Sequence, residues 1–139
     1  MKLLIVLITI AVLCVSCAVF CKKKINLQKT VWTCEFEEFV ADAGTMTITT
    51  EIEFVSAKDY ALKTSTYMPA HPSMRMNADG TQDLIPASSS SWTKQGTYSV
   101  KGSVITLTAE DGGTITLHYF SDHLETPDLY KRPLILTKK

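Results

Sequence analysis

The sequence lacks an excess of charge of either sign. Lysine and arginine total 14, aspartate and glutamate total 14, and the formal net charge is zero. Domains that bind nucleic acid usually carry a basic face, so this composition makes nucleic acid a poor candidate partner. Once the apolar N-terminus is set aside, about 120 residues remain, which suffice for one domain with a modest core but not for two.

The sequence also lacks the motifs of catalysis and of cofactor or metal binding. Past the N-terminal segment it has no glycine-rich phosphate loop, no GxSxG, no HExxH and no paired CxxC. His118 falls on the opposite strand face from Leu117 and Tyr119, so we expect it to be solvent-exposed rather than a metal ligand with His123. We predict that the protein is not an enzyme and has no metal or cofactor.

Cysteine is scarce past the N-terminal segment, where Cys34 stands alone. Thiol catalysis at Cys34 would need a nearby base, and no sequence feature supplies one. An exported chain would permit a disulfide between Cys34 and Cys21. We favour a different interpretation of Cys34, as a small buried apolar residue at an alternating strand position.

The first 21 residues carry the clearest signal. Met1-Lys2 is a short positive segment, and Leu3 to Val15 is an apolar run of the length found in signal peptides. Cys17 follows the small residue Ser16, as a cysteine lipidated after export requires. The sequence therefore predicts a lipoprotein signal peptide at residues 1–16, a lipid anchor at Cys17, a linker at 17–29 and a β-domain at 30–139.

Two alternatives remain for this segment. Ser16 and Ala18 form the small-x-small pattern of an ordinary cleavage site. Alternatively, residues 3–21 approach the length of a bilayer span, and Lys22–Lys24 would be its stop-transfer flank, which would keep the domain cytoplasmic.

What dominates the chain after Trp32 is a hydrophobic period of two, which predicts strands. Trp32, Cys34 and Phe36 alternate with polar residues, and a second strand follows from Met46 to Phe54. Turns are predicted at residues 41–44 and 56–59. Seven or eight strands in neighbour-to-neighbour order describe an all-β antiparallel meander. We expect it to close into a small up-and-down barrel, with a β-sandwich as the alternative.

Two turns are specific enough to predict strand register. A two-residue loop at Lys101-Gly102 pairs Tyr98 with Ile105. A three-residue loop at Asp111–Gly113, with a glycine at positive φ, pairs Leu107 with Leu117 and keeps the apolar face together.

Residues 69–91 interrupt this pattern. The segment holds three prolines, an Asp79-Gly80 turn and four consecutive serines, and it shows no sustained periodicity. Long irregular connections in small domains are usually functional lids or disordered segments. Tyr67 and Met68 beside the segment, with Met74 and Met76 inside it, fit a lid over an apolar pocket. The alternative is that Tyr67 and Met68 finish a strand beside a mobile excursion.

Together these features resemble the lipocalin-like small lipoproteins of Gram-negative bacteria. The resemblance rests on the anchor cysteine, on Leu27 and Trp32 at the first strand, and on the hairpins GTYSV-KG-SVITL and DGG-TITL. It implies a barrel in a family whose members mostly lack assigned activities, some of them thought to hold small apolar ligands.

The leading functional hypothesis is a non-enzymatic cell-envelope lipoprotein that binds a small hydrophobic ligand or an envelope protein. The protein would be attached to a membrane, most simply the outer membrane, through its lipid. The predicted ligand-binding residues are Trp32, Phe36, Phe54, Tyr67, Met68 and Tyr98. The alternative hypothesis is a structural or inhibitory module that docks a partner protein through residues 69–91.

Overall fold

A computed structural model describes residues 24–127 and 129–139. Its ten strands are β1 (Thr30–Val40), β2 (Gly44–Phe54), β3 (Asp59–Met68), β4 (His71–Met76), β5 (Gln82–Ile85), β6 (Ser88–Lys101), β7 (Val104–Ala109), β8 (Thr114–Tyr119), β9 (His123–Thr126) and β10 (Leu134–Lys138). A short 3-10 turn, Leu129–Lys131, precedes β10. The predicted turns at 41–44 and 56–59 are confirmed by the ends of β1, β2 and β3.

Eight strands form a closed antiparallel barrel in the order β1-β10-β9-β8-β7-β6-β3-β2. Strands that follow one another along the chain are neighbours in the wall, except that β4 and β5 intervene between β3 and β6. The barrel is therefore an up-and-down meander. This confirms the predicted all-β fold and the closed barrel rather than the sandwich.

Alternate side chains of the barrel strands fill its interior. One residue in two points inward along a strand, so the apolar positions of the period-two pattern converge. Burial of each such side chain contributes roughly 1.5–3 kcal/mol, which makes this cluster the main source of stability. The core cluster consists of Leu27, Trp32, Ile52, Phe54, Tyr60, Leu62, Ile105, Leu107, Leu117, Leu124 and Leu136.

The turn between β6 and β7 has the predicted length but different residues. The loop is Gly102-Ser103 rather than Lys101-Gly102, and its glycine has a φ of 65°. Positive φ at the first of two loop residues suits glycine, whereas the predicted loop would have placed a lysine there. Tyr98 therefore pairs with Leu107 and not with Ile105. The register differs by two residues, so each side chain keeps its predicted face.

The turn between β7 and β8 confirms the three-residue loop with a glycine at positive φ. The loop is Glu110–Gly112 rather than Asp111–Gly113, and its last residue has a φ of 84°. Such loops place the positive φ at their third position, so the loop closes where the first glycine reaches that position. Leu107 consequently pairs with Ile115 and not with Leu117.

Most of segment 69–91 is regular, contrary to the expectation of an irregular connection. β4 and β5 pair with each other as a separate two-stranded sheet, which we call the hairpin, and β6 already begins at Ser88. A turn over residues 77–81, with Gly80 at a φ of 81°, joins the two strands. Because β5 is short and β4 contains Pro72, the period-two pattern that reveals strands is weak here.

The barrel wall is taller on one side than on the other. β6 pairs with β3 from Ser88 to Thr97, but with β7 only from Gly96 to Lys101. β1 pairs with β2 along its whole length, but with β10 only at Trp32 and Thr33. Strands β1, β2, β3 and β6 therefore rise above the closed ring as an open sheet, which we call the sheet extension.

The residues before β1 close one end of the barrel. Leu27 is buried, and its carbonyl oxygen accepts a hydrogen bond from the N–H of Thr30 (3.0 Å). The N–H of Lys29 donates to the carbonyl oxygen of Phe54 (2.7 Å). The hairpin is attached at the other end, after Met68. At a rise of about 3.3 Å per residue, the ten residues of β3 that connect the two ends form a strand about 30 Å long.

Candidate functional site

Three of the predicted ligand-binding residues are packing residues of the core. Trp32 is 3% exposed and Phe54 is completely buried. The ring of Trp32 meets that of Tyr119 edge to face at 6.2 Å, and the ring of Phe54 meets that of Tyr98 at 4.8 Å. Rings at these distances pack directly against each other, so protein side chains occupy this part of the interior.

The other three predicted residues lie toward the sheet extension. Phe36 is half-buried there, with its ring 5.3 Å from that of Tyr130 and the guanidinium of Arg132 3.8 Å above it. Met68 is half-buried at the end of β3, while Tyr67 points outward and is 51% exposed. The structure does not bring the six residues together around one space.

A polar layer crosses the interior where the sheet extension begins. Cys34, Thr50, Thr64 and Trp92 occupy directly paired positions on β1, β2, β3 and β6. The hydroxyl of Thr64 shares a hydrogen bond of 2.8 Å with the phenol of Tyr130, a residue with a φ of 64°. The sequence analysis missed Trp92, Tyr130 and Arg132, because strand parity does not reveal which residues share a level of the barrel.

In the part of the chain that the structure describes, two buried hydroxyls have no hydrogen-bond partner. They belong to Thr50 and Thr126, both completely buried. A buried hydroxyl without a hydrogen bond costs about 1–3 kcal/mol, so each calls for a bonding partner.

Cys34 has no disulfide partner among residues 24–127 and 129–139, and its thiol is poorly suited to nucleophilic chemistry. Burial raises the pKa of the thiol above its ordinary value, while a backbone hydrogen bond from Thr50 and the charge of Arg132 act in the opposite direction. A raised pKa favours the unreactive thiol over the thiolate. The disulfide partner considered for it, Cys21, lies outside the described residues, as do Cys17 and the signal peptide.

The histidines do not form a metal site within the described residues. His118 is exposed, as predicted. The ring of His123 bonds to the carboxylates of Asp122 (2.7 Å) and Glu125 (3.2 Å) and stacks on Phe120 at 4.6 Å. Over residues 24–127 and 129–139, no cluster of three or more histidine, cysteine or acidic side chains is arranged to hold a metal ion.

The hairpin exposes large apolar side chains. Met74, Met76 and Leu84 are each 70% exposed, and Ile85 is 42% exposed. Between the pairs Pro72–Leu84 and Met76–Gln82 the register shifts, with Met74 in the irregular part of β4. The signal that would have predicted the hairpin is the Asp79-Gly80 turn with apolar residues on either side.

Side-chain hydrogen bonds stiffen the turn of the hairpin. The Asp79 carboxylate accepts bonds from the Thr81 hydroxyl (2.6 Å) and N–H (3.0 Å), which lower the pKa of Asp79 below its ordinary value. The amide of Asn77 donates to the Thr81 hydroxyl and to the Asp83 carboxylate, both at 3.1 Å. An isolated hairpin is only marginally stable, so these bonds hold the exposed apolar residues in place.

A cleft of about 700 Å³ lies at the opposite end of the barrel, beside the residues that precede β1. Its lining combines apolar and polar residues from the segment before β1, from the turn between β2 and β3, and from the end of β6 with the following turn. Tyr98 contributes one wall, with its hydroxyl donating to the carbonyl oxygen of Ser56 (2.9 Å). The lining residues are Lys24, Ile25, Asn26, Leu27, Gln28, Ala57, Tyr98, Ser99, Val100 and Gly102.

The geometry defines a class, the eight-stranded antiparallel meander barrel with an inserted hairpin. No family model, curated protein or solved structure matches this chain. In the described part of the chain, no helix has the length and apolar character needed to cross a bilayer.

Proposed function

We propose that the protein is a lipid-anchored binding module of the cell envelope that presents its hairpin to a partner protein. The observation that carries this proposal is the exposure of Met74, Met76 and Leu84 on two strands that, among the described residues, pair with each other and with no barrel strand. Large apolar side chains held in water favour contact with another surface. Methionine adapts to varied partner surfaces because it is flexible and polarisable.

The turn supports this proposal by reducing the cost of binding. A segment that becomes ordered only on binding loses conformational entropy at that moment. The bonds from Asn77 and Thr81 hold the turn of the free protein in one conformation. The apolar side chains are thus already displayed before a partner arrives.

The proposal includes the finer identity that the sequence resembles, a lipocalin-like lipoprotein anchored through Cys17. The leader residues support the anchor, and the closed meander barrel is the fold that the resemblance implies. In this arrangement the chain would enter the barrel at the membrane side, beside Leu27. The hairpin would then lie at the far end and meet partners in the periplasm or outside the cell.

A second candidate function is the binding of a small hydrophobic molecule, and the cleft beside Tyr98 favours it. Its volume of about 700 Å³ falls within the usual range for small-molecule sites. Soaking the purified protein in native lipid extract and analysing what it retains by mass spectrometry tests this function. Retention of nothing above a blank protein would reject it.

Photo-cross-linking tests the hairpin directly. A photoreactive amino acid in place of Met74, in the full-length chain in its native membrane, should give a discrete covalent adduct with one partner. Leu84→Ser in the same chain should reduce the yield at least about tenfold by weakening the apolar contact. The matched control places the photoreactive residue at Ile135, an exposed residue on the barrel wall. Identical adducts from both positions, or none from position 74, would rule out the hairpin as the docking site.

A further inference from the structure

One stretch of the wall has a strand edge that no other strand of residues 24–127 and 129–139 pairs with. β7 pairs with β6 from Gly96 onward, which leaves Ser88 to Gln95 without a described strand on that side. The carbonyl oxygen of Gln95 accepts a bond from the N–H of Glu110 on this side (3.2 Å). Main-chain groups alternate between the two sides of a strand, so those of Ser89, Ser91 and Thr93 point to the same open side.

This edge lacks the features by which proteins protect open strands. Proline, inward-pointing charge and bulges are the usual protections. From Ser88 to Thr93 the edge carries none of them, and every side chain is exposed. Lys94, the first charged residue, is held by the Asp111 carboxylate at 2.8 Å.

The other open edge of the sheet extension is different. β1 carries Glu35, Glu37 and Glu38 along its unpaired half. Two copies of this edge side by side would bring like charges together, which is unfavourable. The guanidinium of Arg132 also covers part of it by donating to the carbonyl oxygen of Glu37 (3.4 Å). Charge therefore allows self-pairing at β6 and opposes it at β1.

We propose that the β6 edge pairs with the same edge of a second copy of this chain, antiparallel about a twofold axis at Ser91. Ser91 is the central one of the three residues whose main-chain groups are free. The axis places Ser89 opposite Thr93 of the partner subunit, and all three residues then exchange main-chain hydrogen bonds. The two sheet extensions become one continuous sheet.

The side chains of this register are self-complementary. Hydroxyls oppose hydroxyls along the outer face, a pairing that stabilises antiparallel strands. Lys94 opposes Ser88 of the partner subunit, so no like charges meet. Trp92, which is 43% exposed, lies diagonal to Trp92 of the partner subunit, within reach for two aromatic rings. Pairing thus covers the large apolar side chain of this edge.

The test is the oligomeric state of the full-length chain in mild detergent, measured by density-matched sedimentation across protein concentration. We expect a reversible dimer. Ser91→Pro removes an N–H that points away from β3, so it should weaken the dimer at least about tenfold without breaking the barrel. The matched variant Ser91→Ala keeps the N–H and loses only the hydroxyl contact at the axis, so it should weaken the dimer much less than Ser91→Pro does.

A second variant separates loss of pairing from loss of folding. Ser91→Asp leaves the backbone intact but places two carboxylates against each other at the axis, and it should also weaken the dimer at least about tenfold. Thermal unfolding of each variant reports on the fold. A wild-type chain that stays monomeric at every concentration overturns the proposal, as do Ser91→Pro and Ser91→Asp variants that both dimerise normally.

Discussion

At the scale of single residues, His123 has the most clearly defined electrostatic environment. Its ring bonds to Asp122 on one side and Glu125 on the other, and these contacts raise the pKa of the imidazole, the Asp122 bond contributing most. The same bond from His123 lowers the pKa of the Asp122 carboxyl. Each partner therefore stabilises the charged form of the other.

The pH dependence of this pair follows from the two directions. The histidine contribution to stability is complete below its unfolded pKa of about 6.5 and is lost as the pH rises through the higher folded value. The aspartate contribution is present above its unfolded pKa of about 3.8 and is lost as the pH falls through the lower folded value. The pair contributes most between these limits.

We predict that Asp122→Asn lowers the pKa of His123, because the variant removes the nearest negative charge. Titration of the histidine ring signals by NMR measures the shift. Asp111→Asn is the control, because Asp111 pairs with Lys94 elsewhere on the surface. Equal His123 pKa values in the wild type and in Asp122→Asn would contradict this assignment.

Which face a residue occupies was predictable, and which residues meet across the barrel was not. The period of two correctly places Trp32 and Phe54 inside and His118 outside. Tyr67 follows the same rule, because it lies out of phase with the buried residues Tyr60, Leu62 and Thr64 of β3 and therefore points outward. Which side chains meet across the barrel depends on the register between strands and on their tilt, and the sequence of a single strand determines neither.

At the scale of elements, β6 is a strand whose two halves have different neighbours, as β1 is. Its second half lies between β3 and β7, and its first half borders β3 alone. Gly96 lies where β7 joins. A Cβ at this position would lie 2.8 Å from the Cα of Ala109 and would also collide with the carbonyl oxygen of Thr108. Both obstacles are backbone atoms, which cannot move aside as a flexible side chain can.

We predict that Gly96→Ala destabilises the protein by about 1–3 kcal/mol, because the methyl group forces the two strands apart. Urea unfolding followed by tryptophan fluorescence measures the change. Gly80→Ala is an informative comparison, because a Cβ there meets nothing and its cost comes only from the positive φ. A Gly96→Ala protein as stable as the wild type would show that β6 and β7 separate freely at this point.

The elements themselves were predictable where the local signal was strong. Long strands with alternating apolar and polar residues, such as β2, are recognisable from the sequence. Glycines fix the lengths of the turns at 102–103 and 110–112. Both predicted registers differ by two residues, because parity constrains the face of a strand but not its position along its neighbour. The hairpin escaped prediction because short strands offer few alternations to count.

At the scale of the whole molecule, the two ends of the barrel have different roles. Residues 24–29 pack against one end, and the hairpin extends from the other. In the proposed arrangement the anchor precedes the end where residues 24–29 pack, and the hairpin lies at the opposite end of the barrel.

We predict that Cys17→Ala abolishes palmitate labelling of the chain in cells, because it removes the proposed site of lipidation. The label is the readout rather than the membrane fraction, since a leader that is no longer removed at Cys17 still has affinity for the membrane. Cys21→Ala is the matched control and should keep the label. Persistent labelling of Cys17→Ala would place the lipid on another cysteine.

The barrel closes through a short pairing between its first and last strands. β10 meets β1 through only two residue pairs, Trp32 with Lys138 and Thr33 with Thr137, which come from nearly opposite ends of the described chain. Joining segments so distant in sequence is entropically expensive, so we predict that this contact forms late in folding. Until β10 pairs with β1, the ring stays open and each of these two strands keeps an unpaired edge.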